Sequence, residues 1–201
     1  MRIPFQLTEE HAKHGVIYLG SPVAGRPDRA VAAKLFIFLA GKHDAKQWVL
    51  PLLEKLGQRV FDLGENAWTS NVAKLAMNFN IVAAIECMAE SFTFAEKNGV
   101  ARATMAALLS ETVFGSVVYK GYGEIVAQHH YEPPGFRLRL GWKDVRLALE
   151  TAQESATPMP IGSVLRDRML SALAKGQGDM DWSAIGLGAA EDAGLEIVSR
   201  K

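Results

Sequence analysis

The chain has 201 residues, of which 49% are hydrophobic and 22% charged, and its 22 acidic side chains balance its 22 basic ones. This composition is typical of a globular protein with one large or two small domains, and the balanced charge argues against nucleic acid or a membrane surface as a partner. The single cysteine, Cys87, excludes an intramolecular disulfide, and we expect it to be a small buried side chain.

The distribution of apolar residues bears on where the protein works. Residues 8–11 are polar, where a secretion signal would be apolar. No uninterrupted apolar run approaches the roughly 18 residues that cross a bilayer, so we expect no membrane-spanning segment. These observations favour a cytoplasmic protein.

Short strands and helices alternate in the first 66 residues. Apolar runs rich in β-branched and aromatic residues predict the strands, and apolar residues at helical spacing predict the helices. Pro51 lies inside one helical pattern, so we expect a kink or a restart there. The predicted elements are a helix end at 7–14, a strand at 16–19, a loop at 20–27, a strand at 34–40, a helix at 44–56 and a strand at 58–63.

Residues 68–98 contain neither Gly nor Pro and predict one long helix. Thr69 or Ser70 would cap its start, and Asn98-Gly99 would end it. Its apolar residues cover most of the circumference, as expected of a helix buried among others.

The remainder of the chain predicts helices and no convincing strand. Residues 186–191 begin like a dinucleotide fingerprint but lack its third glycine and follow no strand, so we interpret them as a turn. The predicted helices are 101–110, 116–128, 140–155, 161–175 and a short last helix from 181. The sequence thus predicts an α+β to α/β region at 1–66 and an all-helical domain at 67–201.

Three polar residues, Asn71, Lys74 and Asn78, interrupt the apolar surface of the long helix near its start. Their spacing places them on one face, with Lys74 and Asn78 one turn apart. Two interpretations of Lys74 stay open. Either its stem packs while its ammonium reaches water, or it is a site lysine whose pKa is tuned by burial and whose position is fixed by Asn78.

Other familiar chemical motifs are missing from the sequence. It contains no phosphate-binding Walker loop and no serine-hydrolase elbow. The adjacent His129 and His130 have no further ligand at helical spacing, so we interpret them as loop polarity and predict no metal site. Any catalysis would rest on the Lys74 face and on the loop after the first strand.

Four blocks of the chain resemble the β-hydroxyacid dehydrogenases, the family of 3-hydroxyisobutyrate dehydrogenase. Residues 21–27, Ser-Pro-Val-Ala-Gly-Arg-Pro, are similar to the family's substrate-binding loop, and residues 34–41 to the strand that follows it. Residues 71–78 resemble the family's helix signature, a lysine followed four residues later by an asparagine. Residues 136–149 resemble its late segment, in which a Lys-Asp pair lies near the cofactor.

The resemblance implies a fold and a reaction. The fold would be the C-terminal part of a Rossmann domain, one long connecting helix and a helical-bundle domain through which two copies form a homodimer. The reaction would be hydride transfer between NAD or NADP and the carbinol carbon of a small hydroxyacid or the corresponding aldehyde acid.

The resemblance also assigns roles to matching residues. Lys74 would be the general acid/base at the substrate oxygen, and Asn78 would orient the lysine or bind the substrate. The further site residues would be Ala24, Gly25, Arg26 and Asn71 at the substrate, with Ala24 and Gly25 offering backbone N–H groups to a carboxylate, and Phe136 and Lys143 at the cofactor.

Two departures from the family pattern leave the function open. The family's loop commonly carries Ser-Gly-Gly where this chain has Ala24-Gly25-Arg26, and Arg26 would replace the lost serine as an anion clamp or would point to solvent. The glycine turn that holds the pyrophosphate in the family is not in this sequence. The hypotheses are therefore an oxidoreductase seen as a truncated chain, a non-catalytic dimerisation module, and a small-ligand binder that keeps Lys74 without nicotinamide.

Overall fold

The computed structural model describes the backbone of residues 2–197 and the side chains of residues 5–197. The chain forms two compact units, and the division falls between Met77 and Asn78, inside one long helix. We call the part up to Met77 unit 1 and the part from Asn78 unit 2. The domain boundary predicted between residues 66 and 67 stays a prediction, because packing alone does not show which part folds independently.

Unit 1 is built on a three-stranded sheet with the spatial order β1-β2-β3, in which β1 is antiparallel to β2 and β2 is parallel to β3. Its elements are α1 (Arg2–Lys13), β1 (Val23–Ala24), α2 (Pro27–Val31), β2 (Leu35–Leu39), α3 (His43–Leu56), β3 (Gly57–Asp62) and the first turns of α4 (Thr69–Lys97). The consecutive residues 37–40 are all buried. This strand is therefore covered on both faces, as its unbroken apolar run predicts.

Helix α3 connects the two parallel strands and directs one charged residue inward. The ammonium of Lys46 is buried, and it donates hydrogen bonds to the carboxylate of Asp62 and, at 3.1 Å, to the carbonyl oxygen of Gly64. The helix continues through Pro51, so of the two predicted alternatives the restart is wrong and the kink stays a prediction. Pro51 and Gln47 are both exposed, so water is available to the Gln47 carbonyl, to which Pro51 has no N–H to donate.

Two predictions for unit 1 need correction. Residues 16–19 are not a strand, because no described strand pairs with them, and only Gly20 forms a bridge, with Ala40. The predicted loop at 20–27 contains β1 and the start of α2. Pro27 occupies the first turn of α2, where its missing N–H costs nothing.

Unit 2 is a helical bundle around α4. Its further elements are α5 (Arg102–Glu111), α6 (Val117–Gln128), α7 (Leu138–Glu154), α8 (Pro160–Ala174), two 3-10 helices (Gln177–Asp179 and Trp182–Ile185) and α9 (Gly186–Asp192). The core contains buried apolar side chains of α4, among them Val82, Ile85 and Phe92, together with Leu165 and Met169 of α8. The order of a small α/β sheet followed by a helical bundle confirms the predicted fold class, and dimerisation stays a prediction.

Two helix glycines mark close approaches in unit 2. A Cβ on Gly141 of α7 would lie 2.7 Å from Cε3 of Trp182. A Cβ on Gly162 of α8 would lie 2.7 Å from Cδ2 of Leu149. Real Cβ atoms do not come this close to a carbon neighbour, so any larger residue would push the packed side chain away.

Three further expectations need correction. The segment 186–191 is not a turn but belongs to α9, and its Leu187, Ala189 and Ala190 are buried in the bundle. Cys87 is exposed, because it lies on a face of α4 that no described side chain covers fully. Finally, α4 is long and apolar enough to cross a membrane by length and composition alone, since its polar residues are few and scattered. The core helix of a soluble protein passes the same test, so nothing further follows from it.

Candidate substrate and cofactor site

Two of the predicted site residues meet at one carboxylate in unit 2. The amide nitrogen Nδ2 of Asn78, on α4, donates a hydrogen bond of 2.7 Å to Oδ2 of Asp144, on α7. The ammonium of Lys143 lies 3.1 Å from Oδ1 of the same carboxylate. Asp144 therefore joins residues that are 65 positions apart in the sequence.

Burial gives this cluster its rigidity. Asn78 and Asp144 are both buried, whereas about half of the Lys143 side chain is exposed. A carboxylate accepts hydrogen bonds and does not donate them, so the Asn78 amide must turn its nitrogen towards Asp144. The amide oxygen Oδ1 consequently points away from Asp144, and the orientation of this acceptor is fixed.

The other two polar residues of the α4 face belong to unit 1. Lys74 precedes Asn78 by one helical turn, and Asn71 precedes Lys74 by slightly less than one turn. Both side chains are partly buried. This degree of burial is compatible with both interpretations of Lys74, so its role stays a prediction.

The loop predicted to bind substrate runs from β1 into α2. Ala24 is buried and pairs with Phe36 in the sheet. Gly25 has a φ of +146°, and a Cβ there would lie 2.7 Å from Cδ2 of Leu35, so only glycine fits. Arg26 precedes α2, its carbonyl accepts hydrogen bonds from Arg29 and Ala30, and its side chain is partly buried.

The register of the sheet decides which N–H groups this loop offers. The pairs Gly20–Ala40 and Pro22–Phe38 are linked by hydrogen bonds. Because hydrogen-bonded pairs recur every second residue in an antiparallel ladder, the pair of Ala24 and Phe36 is of the same kind. The Ala24 N–H is thus directed at β2, and Gly25 is the first loop residue beyond the ladder.

Phe136 occupies the turn just before α7. Its ring stands edge-on to Trp182 with 4.9 Å between the ring centroids, and its N–H donates to the carboxylate of Asp181 at 3.1 Å. Sequence reasoning did not single out Asp181, and it named Asp144 only as part of a Lys-Asp pair. Asp is a favoured N-cap residue, and its position at the start of the predicted last helix could have drawn attention to Asp181.

His129 and His130 do not form part of this cluster. His129 ends α6 in a left-handed conformation, and its Nδ1 lies 3.3 Å from the hydroxyl of Tyr131. Burial lowers the pKa of His129. Among residues 2–197, no three potential metal ligands come together.

A nicotinamide dinucleotide needs polar partners for its nicotinamide end and N–H groups for its pyrophosphate. The exposed ammonium of Lys143 beside the Asp144 carboxylate suits ribose hydroxyls or a carboxamide. For the pyrophosphate, the sequence has no glycine-rich turn, and the first turn of α3 carries Asp44, which would repel a phosphate. The residues present thus fit the nicotinamide end and not the pyrophosphate end.

Two family models match the chain. The model described as NAD-binding of NADP-dependent 3-hydroxyisobutyrate dehydrogenase matches residues 69–186, which is more than half of the chain. The chain belongs to the β-hydroxyacid dehydrogenase family. The model described as the NAD binding domain of 6-phosphogluconate dehydrogenase matches residues 5–64. Both models describe NAD-binding domains, which confirms NAD or NADP as the predicted cofactor.

Individual relatives agree with the family assignment. The uncharacterized oxidoreductase YfjR of Bacillus subtilis is 41% identical over 180 residues, which are 90% of this chain and 63% of that protein. Glyoxylate/succinic semialdehyde reductase 1 of Arabidopsis thaliana is 29% identical over 90% of this chain and 62% of its own length. The crystal structure of 3-hydroxyisobutyrate dehydrogenase from Salmonella typhimurium has the same fold, with a TM-score of 0.82 at 20% identity over 90% of this chain and 64% of that one. The chain therefore spans less than two thirds of the length of these relatives.

Proposed function

We propose that the protein is an NAD(P)-dependent oxidoreductase that acts on a small hydroxyacid or the corresponding aldehyde acid. The observation that supports this most is the hydrogen-bonded cluster of Asn78, Asp144 and Lys143, which lies within the segment 69–186 that matches the family. The name of the plant relative, a reductase of glyoxylate and succinic semialdehyde, supports an aldehyde acid as the substrate class.

Lys74 is the residue that we propose as general acid/base. A dinucleotide whose nicotinamide end is held beside Lys143 would supply or accept the hydride at the carbinol carbon. When an aldehyde is reduced, the ammonium of Lys74 gives its proton to the substrate oxygen, and in the reverse direction the neutral amine takes that proton back. A lysine suits this role because its ammonium is a compact donor on a flexible stem and changes its protonation state readily when buried.

In this proposal the loop after β1 binds the substrate carboxylate, and Asn78 provides an acceptor one helical turn after Lys74. The amide of Asn78 is held by Asp144, so its oxygen is a fixed acceptor on the same helix as Lys74. The Gly25 N–H lies beyond the sheet ladder and is therefore a better donor to a substrate carboxylate than the Ala24 N–H. Arg26 supplies the positive charge that the carboxylate pairs with.

The test measures hydride transfer by the protein expressed from its native gene. The absorbance of the reduced dinucleotide reports the reaction, and NAD(H) and NADP(H) are each tried as the cofactor. The substrates to screen are 3-hydroxyisobutyrate, glyoxylate and succinic semialdehyde. Lys74→Ala should lower kcat by about 100-fold or more, since a general acid/base contributes on that order, while dinucleotide binding persists. Lys97→Ala, at the exposed last turn of the same helix, is the matched control and should leave kcat unchanged. Turnover of Lys74→Ala within twofold of wild type would remove the acid/base role.

We also propose that the protein is a homodimer through its helical unit. Large apolar side chains are strongly exposed there, with relative exposures of 71% for Phe94, 89% for Val113 and 79% for Val117. Exposed apolar side chains become interface residues where they form a contiguous patch, and an isologous dimer is the commonest assembly that covers such a patch. Multi-angle light scattering should give twice the chain mass, and a monodisperse monomer would refute the dimer.

A further inference from the structure

Asp181 of unit 2 is a buried carboxylate that is not among the predicted site residues. Asp181 is 2% exposed and lies just before the second 3-10 helix. We infer that Asp181 is a positioning residue that fixes the turn carrying Phe136 and thereby sets the affinity for the dinucleotide. The inference rests on the proposed function and on the family resemblance, which places Phe136 at the cofactor.

The two oxygens of the Asp181 carboxylate serve two different segments. Oδ2 accepts hydrogen bonds from the N–H of Gly135 at 2.9 Å and from the N–H of Phe136 at 3.1 Å. Oδ1 accepts from the N–H of Ser183 at 3.1 Å and from its hydroxyl at 2.6 Å. Capping the 3-10 helix uses only Oδ1, so a plain capping role leaves the bonds of Oδ2 unexplained.

We call the Asp181 carboxylate with its bonds to Gly135, Phe136 and Ser183 the carboxylate clamp, and backbone hydrogen bonds reinforce it. The N–H of Asp181 donates to the Tyr131 carbonyl at 3.0 Å, and the N–H of Trp182 donates to the Phe136 carbonyl at 2.8 Å. The N–H of Leu138, at the start of α7, donates to the Met180 carbonyl at 2.9 Å. The turn 131–138 is therefore tied to residues 180–182 at both of its ends and in its middle.

The clamp also determines where the Phe136 ring stands. The ring is edge-on to the indole of Trp182, whose Nε1 donates a hydrogen bond of 2.7 Å to the hydroxyl of Tyr122. Trp182 is buried, and Phe136 is only partly buried, so the Phe136 ring packs against a buried side chain and also remains partly exposed. Helix α7 begins two residues after Phe136, so the same clamp sets the start of the helix that carries Lys143.

The variant Asp181→Asn, in the protein expressed from its native gene, tests whether the carboxylate must accept hydrogen bonds from both segments. An asparagine has one acceptor oxygen and one donor nitrogen, so it cannot accept bonds from both segments at once. Ser183→Ala is the matched control, because it removes only the hydroxyl bond to Oδ1. If Asp181→Asn does not fold, Asp181→Glu keeps the charge, moves it by one methylene and gives the same comparison.

Two readouts are expected to change together. Calorimetric titration should show the Kd for NAD or NADP rising about tenfold in Asp181→Asn, since a hydrogen bond to a charged group is commonly worth that much, with a change below twofold in Ser183→Ala. Hydrogen exchange of the dinucleotide-free protein should be faster at 131–138 in Asp181→Asn than in wild type. In a Phe136→Ala background, Asp181→Asn should weaken dinucleotide binding no further, because the effect passes through that residue.

Different outcomes refute the role of Asp181 and the proposed oxidoreductase function. A wild-type protein that binds neither dinucleotide overturns the proposed function and the inference together. A folded Asp181→Asn variant with an unchanged Kd overturns the inference alone. Equal weakening by Asp181→Asn and Ser183→Ala, or full additivity with Phe136→Ala, would also overturn it, because the carboxylate would then act only as a helix cap or as a general stabiliser.

Discussion

The contact between Asn78 and Asp144 should contribute measurably to the stability of unit 2. Removing the Asp144 carboxylate leaves the Asn78 Nδ2 buried without its 2.7 Å acceptor. A hydrogen bond to a charged group is worth about 1.5 to 3 kcal/mol, and a buried donor left unsatisfied costs a similar amount. The Lys143 contact adds less than about 1 kcal/mol, because half of that side chain lies in water. Asp144→Ala should therefore lower the free energy of unfolding by about 2 to 4 kcal/mol.

A double-mutant cycle isolates the pair. Urea unfolding of wild type, Asn78→Ala, Asp144→Ala and the double variant should give a coupling energy of about 1.5 to 3 kcal/mol. The parallel cycle with Lys143→Ala should give less than about 1 kcal/mol. Coupling between Asn78 and Asp144 below about 0.5 kcal/mol, which is ordinary additivity, would show that the hydrogen bond does not hold these helices together.

Two further changes test electrostatics and packing in unit 2. Burial raises the pKa of Glu86 above its ordinary 4.5, so its contribution to stability is complete below about pH 4.5 and is lost as the pH rises through its folded-state value. In the wild-type protein the Arg168 Nε donates to Glu86 Oε1 at 2.7 Å, and Glu86→Gln keeps an acceptor for it. Urea unfolding from pH 4 to 8 should show the unfolding free energy of Glu86→Gln rising relative to that of wild type as the pH rises. Parallel pH curves for the two proteins would refute the raised pKa of Glu86. Gly141→Ala forces Trp182 aside and should lower the unfolding free energy by about 1 to 2 kcal/mol. The control is Gly121→Ala, at a helix position with open space, which should raise the unfolding free energy by up to about 1 kcal/mol. A stabilising Gly141→Ala would contradict the close packing.

Long apolar patterns allowed much of the fold to be predicted. The strand β2 and the long α4 follow from unbroken apolar patterns, β3 follows from the short run 59–61, and each was found within a few residues. The short β1 carries no such signal, because two residues become a strand only through pairing with β2. The five-residue α2 was missed for a similar reason: its glycine- and proline-rich surroundings are typical of a loop, and Pro27 also suits the first turn of a helix.

The candidate site was predictable only in part. Spacing along one helix put Lys74 and Asn78 on one face, and the family resemblance added Lys143. No local pattern indicates that the carboxylate of Asp144 would bind the amide of Asn78, since that contact depends on how α4 and α7 pack. The role of Asp181 was hidden for the same reason, because its partners at 135 and 136 are some 45 residues earlier in the chain.

The glycines at helix packing points bear on the order in which unit 2 folds. Gly141 and Gly162 each weaken the helix that contains them by about 1 kcal/mol relative to alanine, and each lies where a neighbouring side chain approaches closely. Isolated helices shorter than about 12 to 15 residues are marginal in water, and α7 and α8, with 17 and 15 residues, are barely longer than this limit before the glycine penalty is counted. Helices α7 and α8 should therefore not form first and dock afterwards, and secondary structure and side-chain packing in this bundle should appear together in one cooperative step.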